Sequence, residues 1–299
     1  MVGHQSLSTE APDEIAQFKH QFSLLSSKSD KQRREALSYL TTRLSQDSFR
    51  TPVGTQAMLS RSLPLISDSS TPVRAQLIKL LRALPASEVK NSAPQVIMYV
   101  RAGLTHLSAD ISNDALGVME WLLEVAGDHL ASCPGGWVKT LNTFCALMGW
   151  SLSTPKSSWS SAPRAGIRAK HGQNYQRQIT ILGKFLRTGF QSEDSAVDTA
   201  ALAFDYLEKL PRDPDAFAYL NLTGPTRDEE GEMYLDRESR QQVFHKKFLD
   251  AFRQGVEQAK KEAGMVGRAA AGLDQILSTA MDDFEPSAAI SSQDLLELW

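Results

Sequence analysis

Two stretches of the N-terminal half decide the fold: SKSDKQRREALSYLTTRL, residues 27–44, and SDSSTPVRAQLIKLLRAL, residues 67–84. They align at an offset of 40. A weaker third copy, SADISNDALGVMEWLLEV, begins at residue 108 and aligns with the second copy at an offset of 39. A period near 40 with two helices per period is typical of HEAT and armadillo repeats, which bury their apolar faces only against their neighbours. We therefore predict an all-α fold, a HEAT/armadillo-like α-solenoid of stacked helical pairs.

The aligned positions carry the apolar face that a helix requires, because leucines recur every three or four residues. Thr71 followed by Pro72 predicts an N-cap with proline at the first helical position. Asp68, Pro72 and Arg74 together fit the start of the second helix of a HEAT pair. The superposed residues are Leu37 on Leu77, Leu40 on Leu80, Leu44 on Leu84, Arg34 on Arg74, and, in the third copy, Leu116 opposite Leu77 and Leu123 opposite Leu84.

Apolar residues at helical spacing predict further helices on both sides of the repeat. The run VIMYV at residues 96–100 has strand-forming residues, but its continuation into Leu104 and Leu107 favours a helix. The predicted helical faces are Ile15, Phe18, Phe22 and Leu25; Ala93, Ile97, Val100, Leu104 and Leu107; Trp137, Leu141, Phe144 and Met148; Tyr175, Ile179, Leu182 and Leu186; Val197, Ala201, Phe204 and Leu207; Phe244, Phe248, Phe252 and Val256; and Leu273, Ile276 and Ala280.

Changes in composition divide the chain into three parts. Residues 1–150 hold the HEAT-like repeats, residues 151–174 form a basic loop or linker rich in Ser, Pro and Gly, and residues 175–299 form a C-terminal helical part of the solenoid with acidic loops and a polar tail. The phenylalanine stripe at residues 244–252 is either core packing or a docking face for a partner helix. The last segment, residues 291–299, is either a short recognition peptide or a frayed tail.

The formal net charge of -3 is distributed unevenly. Residues 1–150 have a net charge of +1, residues 151–190 carry seven basic and no acidic residues, and residues 191–299 have a net charge of -11. Basic residues interleaved with aromatic ones can grip a phosphate backbone and stack unpaired bases. The same segment can clamp an acidic partner or fold back on the acidic C-terminal third, so all three interpretations stay open. The candidate contact residues are Lys156, Trp159, Arg164, Arg168, Lys170, Tyr175 and Arg177.

Composition and motifs also exclude several classes of protein. The nearly balanced charge excludes a uniformly basic nucleic-acid binder, and no run approaches the roughly 18 apolar residues of a membrane span. The histidines are scattered without zinc-binding spacing, and the sequence has no phosphate-binding loop and no nucleophile elbow. Cys133 and Cys145 are expected to be free thiols in a reducing compartment. We therefore expect a cytosolic or nuclear protein that is not an enzyme, binds no cofactor or metal ion and contacts no membrane.

The segment THLSADISNDALGVMEWLLE, residues 105–124, resembles the most recognisable motif of the Ipi-one/testis-expressed-ten family of pre-rRNA-processing proteins. The two upstream repeats and the segment GGWVKTLNTFCALMGW, residues 135–150, are also similar to that family, in its short fungal form. The chain departs from the family at Ser112 and Asn113, where a basic residue is usual, and in lacking a Lys-rich N-terminal tail. The motif residues are Thr105, His106, Leu107, Ser108, Asp110, Ile111, Asp114 and Leu116.

The resemblance implies a function that composition alone does not. Members of the family are non-catalytic adaptor subunits of a Rix-type complex, together with a Rix-type scaffold subunit and a WD-repeat subunit. That complex joins large-subunit pre-ribosomes in the nucleolus and nucleoplasm, is required for removal of the second internal transcribed spacer from pre-rRNA, and recruits the midasin AAA ATPase. On this interpretation the basic loop faces either pre-rRNA or a neighbouring protein. The alternative is a generic HEAT-repeat adaptor in nuclear transport or trafficking.

Overall fold

Every regular element among the residues that the structure describes is a helix. The computed structural model describes residues 14–46, 52–152, 172–191, 228, 230–262 and 264–284. The predicted all-α class is therefore confirmed. In chain order the helices are α1 (Glu14–Leu24), α2 (Asp30–Leu44), α3 (Thr55–Ser62), a 3-10 helix (Leu63–Ser67), α4 (Thr71–Arg82), α5 (Ala86–Asn91), α6 (Ala93–Leu104), α7 (Ala109–Ser132), α8 (Val138–Met148), α9 (Gly172–Gly189), α10 (Arg237–Lys247), α11 (Leu249–Lys260) and α12 (Met265–Met281).

The chain divides into two compact units, residues 1–121 and 122–299. The division falls inside α7, in which Ala126 has a non-helical backbone conformation with φ -142° and ψ 33°. The sequence-based division at residues 150 and 174 stays a prediction, because most of residues 151–174 lie outside the described residues. The predicted helix from Val197 to Leu207 and the terminal segment 291–299 also lie outside them.

Helical pairs stack on one another in the first unit. Helix α2 packs against α4, and the 3-10 helix packs against both α4 and α6. The repeat leucines Leu37, Leu40, Leu77 and Leu80 are at most 1% exposed. Each pair thus buries its apolar face against the next, as the period of about 40 residues predicts.

Helix α6 approaches its neighbours closely enough to require glycine. A Cβ added to Gly103 would lie 2.7 Å from Ile66 Cγ2 and 2.9 Å from Ala115 Cβ. Carbon atoms at those separations overlap, so a larger residue here would push α6 away from both the 3-10 helix and α7.

The structural register of the repeat differs by one residue from the sequence alignment. Ser29 is the N-cap of α2 and Ser70 is the N-cap of α4, so the two helices correspond at an offset of 41. Arg33, not Arg34, is the equivalent of Arg74, because each donates from Nη1 to the backbone carbonyls six and five residues before it. Arg34 is exposed. The predicted match of Arg34 with Arg74 is therefore wrong by one position.

Two predicted helix boundaries also change. Ser70, not Thr71, is the N-cap of α4, which makes Thr71 the first helical residue and moves Pro72 to the second position. Helix α6 ends at Leu104, and Leu107, which the periodicity places on the buried side of that helix, is 83% exposed. The chain leaves the helical path before Leu107, so the periodicity no longer applies there.

Aromatic side chains fill the second unit. Trp137 packs against Phe185 and Phe190, with ring centroids 5.0 and 5.1 Å apart. Phe244 meets Phe190 at 5.3 Å and Phe252 at 5.0 Å in edge-to-face geometry, an arrangement that aromatic rings favour. The phenylalanine stripe is therefore core, not a docking face.

The sequence predicts one continuous helix for the phenylalanine stripe, and this prediction is wrong. The stripe spans two helices. Phe248, with φ -117° and ψ -29°, separates α10 from α11. Phe244, Phe248 and Phe252 are nevertheless all fully buried. The Phe248 N–H donates to Phe244 O and the Phe252 N–H donates to Phe248 O, so the four-residue spacing is preserved across the junction. Helix α12 then packs against both α9 and α11 and completes the unit.

Candidate functional site

The family-like motif forms the corner between α6 and α7. Thr105 caps the end of α6, and its Oγ1 donates a hydrogen bond to Arg101 O at 3.0 Å. His106 Nδ1 accepts a hydrogen bond of 3.0 Å from the backbone N–H of Ser108, one residue before α7 begins. A side chain that accepts a hydrogen bond from a backbone N–H two residues later holds the corner in a fixed turn. His106 therefore has a structural part in the motif.

The second half of the motif anchors the corner to the core. Ile111 and Leu116 are buried at 5% and 0% exposure, and Ser112 Oγ donates to Leu104 O at 2.7 Å. Asp114 Oδ2 accepts from Arg74 Nε at 2.7 Å. Asp110 is exposed in the first turn of α7, where a carboxylate interacts favourably with the helix dipole. Most of the motif thus has a role in folding.

Leu107 is the exception in this motif. Its exposed fraction of 83% is the largest among the exposed large apolar side chains of the described residues. Its neighbours fix the backbone on both sides, so the isobutyl group is displayed on a rigid turn. Burial of this side chain against a partner would remove its apolar surface from water and so stabilise a complex.

The basic segment is described only at its C-terminal end. Lys156, Trp159, Arg164, Arg168 and Lys170 lie outside the described residues, and their proposed contacts stay predictions. The two described candidates, Tyr175 and Arg177, lie near the start of α9.

Tyr175 and Trp150 face each other inside the second unit. Trp150 Nε1 donates to Tyr175 Oη at 3.2 Å, and the two residues are 8% and 7% exposed. Burial raises the pKa of the Tyr175 hydroxyl above its ordinary value. In this structure both rings belong to the core and are not available for stacking on a base. Arg177, on the same helix, is half-buried.

Sequence reasoning missed the ion pairs between successive repeats. Arg33 Nε lies 2.7 Å from Asp68 Oδ2, and Arg74 Nε lies 2.7 Å from Asp114 Oδ2. The sequence feature that could have indicated these ion pairs is an arginine four residues after the N-cap serine in both α2 and α4. These pairs connect each repeat to the following one and so fix the surface that the stack presents.

The described residues hold no group of three or more His, Cys, Asp and Glu side chains that could bind a metal ion. No described helix is both long enough and apolar enough to cross a membrane. Both cysteines are buried and carry reduced thiols, and burial raises the pKa of the Cys145 thiol to about 12. A thiol with that pKa is not a nucleophile near neutral pH.

Comparison with known proteins identifies the family. The chain is 48% identical to the pre-rRNA-processing protein IPI1 of Pyricularia oryzae over 95% of this chain and 87% of the relative. It is 47% identical to the protein of the same name from Chaetomium thermophilum, over 94% of this chain and 85% of the relative. The chain belongs to the IPI1 family. The family described as "Rix1 complex component involved in 60S ribosome maturation" matches residues 87–186.

The family match includes the corner motif and most of the basic segment, because it covers residues 87–186. A chain from the solved "Rix1-Rea1 pre-60S particle" is also similar, with a TM-score of 0.48 and 19% identity, covering 70% of this chain and 80% of that one. The assignment to the IPI1 family rests on the sequence relatives. It confirms the resemblance that the THLS motif indicates.

Proposed function

We propose that this protein is a non-catalytic adaptor subunit of a Rix-type complex that acts in maturation of the large ribosomal subunit. In the complex it binds a Rix-type scaffold subunit and a WD-repeat subunit, and through them it joins the pre-ribosome. The complex then supports removal of the second internal transcribed spacer and recruitment of the midasin AAA ATPase. The proteins work in the nucleolus and nucleoplasm.

One observation carries the proposal: relatives at 40–48% identity over most of the chain are named pre-rRNA-processing protein IPI1. At that identity, and over nearly the full length of both chains, the fold and the surface that contacts partners are expected to be shared. The family description, a Rix1 complex component, supports membership in a complex over activity as an isolated protein.

The architecture supports a role in binding rather than catalysis. Stacked helical repeats form extended surfaces on which partner segments lie. The corner motif places Leu107 on such a surface, on a turn fixed by the hydrogen bond between His106 and Ser108. We propose that Leu107 inserts into an apolar pocket of the scaffold subunit.

The basic segment has a different task in the proposed function. Residues 151–190 carry seven basic residues without an acidic one. Such a charge suits the phosphate backbone of pre-rRNA or an acidic segment of a neighbouring subunit. We propose that it strengthens attachment of the complex to the pre-ribosome once the scaffold subunit is bound.

Affinity purification of the tagged full-length chain from fungal nuclei tests the proposal. The scaffold subunit, the WD-repeat subunit and large-subunit precursors should co-purify, and depletion of the chain should lead to accumulation of precursors that retain the second internal transcribed spacer. An untagged strain is the matched control. Co-purification of nuclear transport factors without these partners would instead support a transport adaptor and contradict the proposal.

A further inference from the structure

A cavity of about 380 Å³ opens in the second unit, at the edge of the aromatic core. It lies between the C-terminal end of α9, the start of α10 and one side of α12. Phe190, Ile276 and Ala280 provide its apolar wall, while Arg187, Arg237 and Gln191 stand among its polar lining residues. The volume is within the range of roughly 300–1,000 Å³ that is usual for ligand-binding clefts.

The two arginines differ in what they offer to a ligand. Arg237 donates from Nη2 to Asp283 Oδ1 at 2.8 Å and from Nε to Phe190 O at 2.9 Å, and these hydrogen bonds fix its position. The bond from Arg237 holds the pKa of Asp283 below its ordinary value, so the pair stays charged. Arg187 is exposed, and among the described residues no hydrogen bond or ion pair joins it to another side chain.

The described residues of the lining therefore form a cationic side and an apolar side, and none of them is acidic. A guanidinium group binds a carboxylate in paired hydrogen bonds, and the apolar wall gains free energy by covering an apolar side chain. A nucleic-acid backbone would use the arginine but leave the wall formed by Phe190 and Ile276 exposed to water. The combination fits a peptide that carries an acidic residue beside an apolar one.

We propose that this cavity is a docking site for an acidic segment of a partner protein. An apolar side chain of that segment packs against Phe190 and Ile276, and a neighbouring carboxylate binds Arg187. The docking site is independent of the proposed role in ribosome maturation, because it is argued from the lining of the cavity alone.

Gly272 provides a way to close the cavity without disturbing the fold. It lies in the cavity wall on α12, and a Cβ added there would meet nothing within 4 Å. Replacing glycine inside a helix does not weaken the helix. Gly272→Phe should therefore fill the cavity and keep the melting temperature at or above that of the wild type. Ala271→Phe adds the same ring at an exposed neighbouring position and is the matched control.

A random dodecapeptide phage library, selected on the full-length wild-type chain and counter-selected on Gly272→Phe, tests the proposal. The selected peptides should be enriched in Asp or Glu next to an apolar residue. In fluorescence anisotropy, a labelled selected peptide should bind the wild type and Ala271→Phe equally. Gly272→Phe should abolish binding, and Arg187→Gln should weaken it about tenfold, as expected when an exposed charged contact to a carboxylate is lost. Arg253→Gln, an exposed arginine of α11, should have no effect.

Several outcomes would overturn the proposal. One is a selection in which no peptide prefers the wild type to Gly272→Phe, and another is a set of selected peptides without acidic residues. Displacement of the peptide by labelled oligouridylate in a manner that depends on Arg187 would assign the cavity to nucleic acid. If removal of residues 291–299 raises the affinity for the peptide, the occupant is the acidic tail of this chain and not a partner.

Discussion

Arg74 Nε donates to Asp114 Oδ2 at 2.7 Å, and the two residues are 40 positions apart in the sequence. Arg74 is only 2% exposed, and its Nη1 also donates to the carbonyls of Asp68 and Ser69 at 2.7 and 3.2 Å. The arginine thus fixes the loop before its own helix and reaches the next helical pair at the same time. Arg33 has the same double role one repeat earlier.

Replacing this arginine should destabilise the stack. Arg74→Met keeps much of the side-chain volume but leaves the carbonyls of Asp68 and Ser69 without their donor and Asp114 without its counter-ion. We expect the free energy of unfolding to fall by about 2–4 kcal/mol, measured by urea unfolding monitored by circular dichroism. The control is Arg34→Met, at an exposed position, which should change it by less than about 0.5 kcal/mol. Equal effects of the two substitutions would contradict the register described above.

A second prediction concerns the leucines of the repeat. Leu77 is 1% exposed between stacked helices, so Leu77→Ala removes buried methyl groups and leaves a cavity. The expected cost is about 2–5 kcal/mol in the free energy of unfolding. Leu107→Ala makes the same chemical change at an 83% exposed position and should cost less than about 0.5 kcal/mol. A near-zero effect at Leu77 would mean that the repeat does not stack as described.

The positions of the helices could be predicted because their apolar residues recur at helical spacing, and burial follows the same spacing. Leu37, Leu77 and Phe144 are all buried where the pattern places them. The register of the repeat could not be predicted to the residue, because neighbouring leucines in α4 satisfy either offset. The N-caps of α2 and α4 and the hydrogen bonds of Arg33 and Arg74 decide between the two alignments.

The spacing of apolar residues in the sequence does not predict features that depend on tertiary contacts. The four-residue spacing of the phenylalanines continues through Phe248, although this residue separates α10 from α11. The pattern also continues to Leu107, although the chain turns at His106 and leaves that side chain exposed. The cavity beside Arg187 and Arg237 joins residues about 50 positions apart in sequence, so no local motif indicates it.

The stability of the second unit should depend on alkaline pH through Cys145. This thiol is 2% exposed on α8, and burial raises its pKa from the ordinary value of 9.0 to about 12. Below pH 9 the thiol is neutral in both states, and its contribution is fully present. Above pH 9 it ionises only in the unfolded chain, so the contribution is lost at up to about 1.4 kcal/mol per pH unit until pH 12.

Comparison with Cys145→Ala isolates this effect from the ionisation of other groups. Urea unfolding at pH 8 and pH 10.5 should show that the wild type loses about 2 kcal/mol more than the variant between these two conditions. Parallel losses in both proteins would mean that the buried thiol ionises as easily in the folded state as in the unfolded chain.

The corner motif predicts a variant that separates binding from folding. Leu107→Asp places a charge on a side chain that is already in water, so the melting temperature should stay within about 2 °C of the wild type. If Leu107 inserts into the scaffold subunit, that charge would be buried in the complex, and the recovery of the scaffold in a pull-down should fall at least tenfold. Asp110→Ala, an exposed neighbour on α7, is the control. Full recovery of the scaffold with Leu107→Asp would mean that the corner is not part of the interface with the scaffold.

The basic segment gives the last prediction, and it separates the three interpretations of its charge. Reversal of Arg164, Arg168 and Lys170 to Glu changes the net charge of residues 151–190 from +7 to about +1, and the loss of electrostatic attraction should weaken association with pre-ribosomes at physiological salt. Sedimentation in sucrose gradients measures that association. The melting temperature should stay constant, and reversal of the exposed Lys246, Arg253 and Lys261 in the second unit is the matched control.

Pre-ribosome association and melting temperature respond differently to a contact outside the chain and to a contact within it. A loss of pre-ribosome association that is relieved at low ionic strength, with full recovery of the scaffold subunit, supports a phosphate or acidic protein contact made outside the complex. Unchanged association together with a lower melting temperature would instead mean that the segment neutralises the C-terminal third of its own chain, whose net charge is -11. In that case the basic segment stabilises the fold and contacts neither RNA nor a partner.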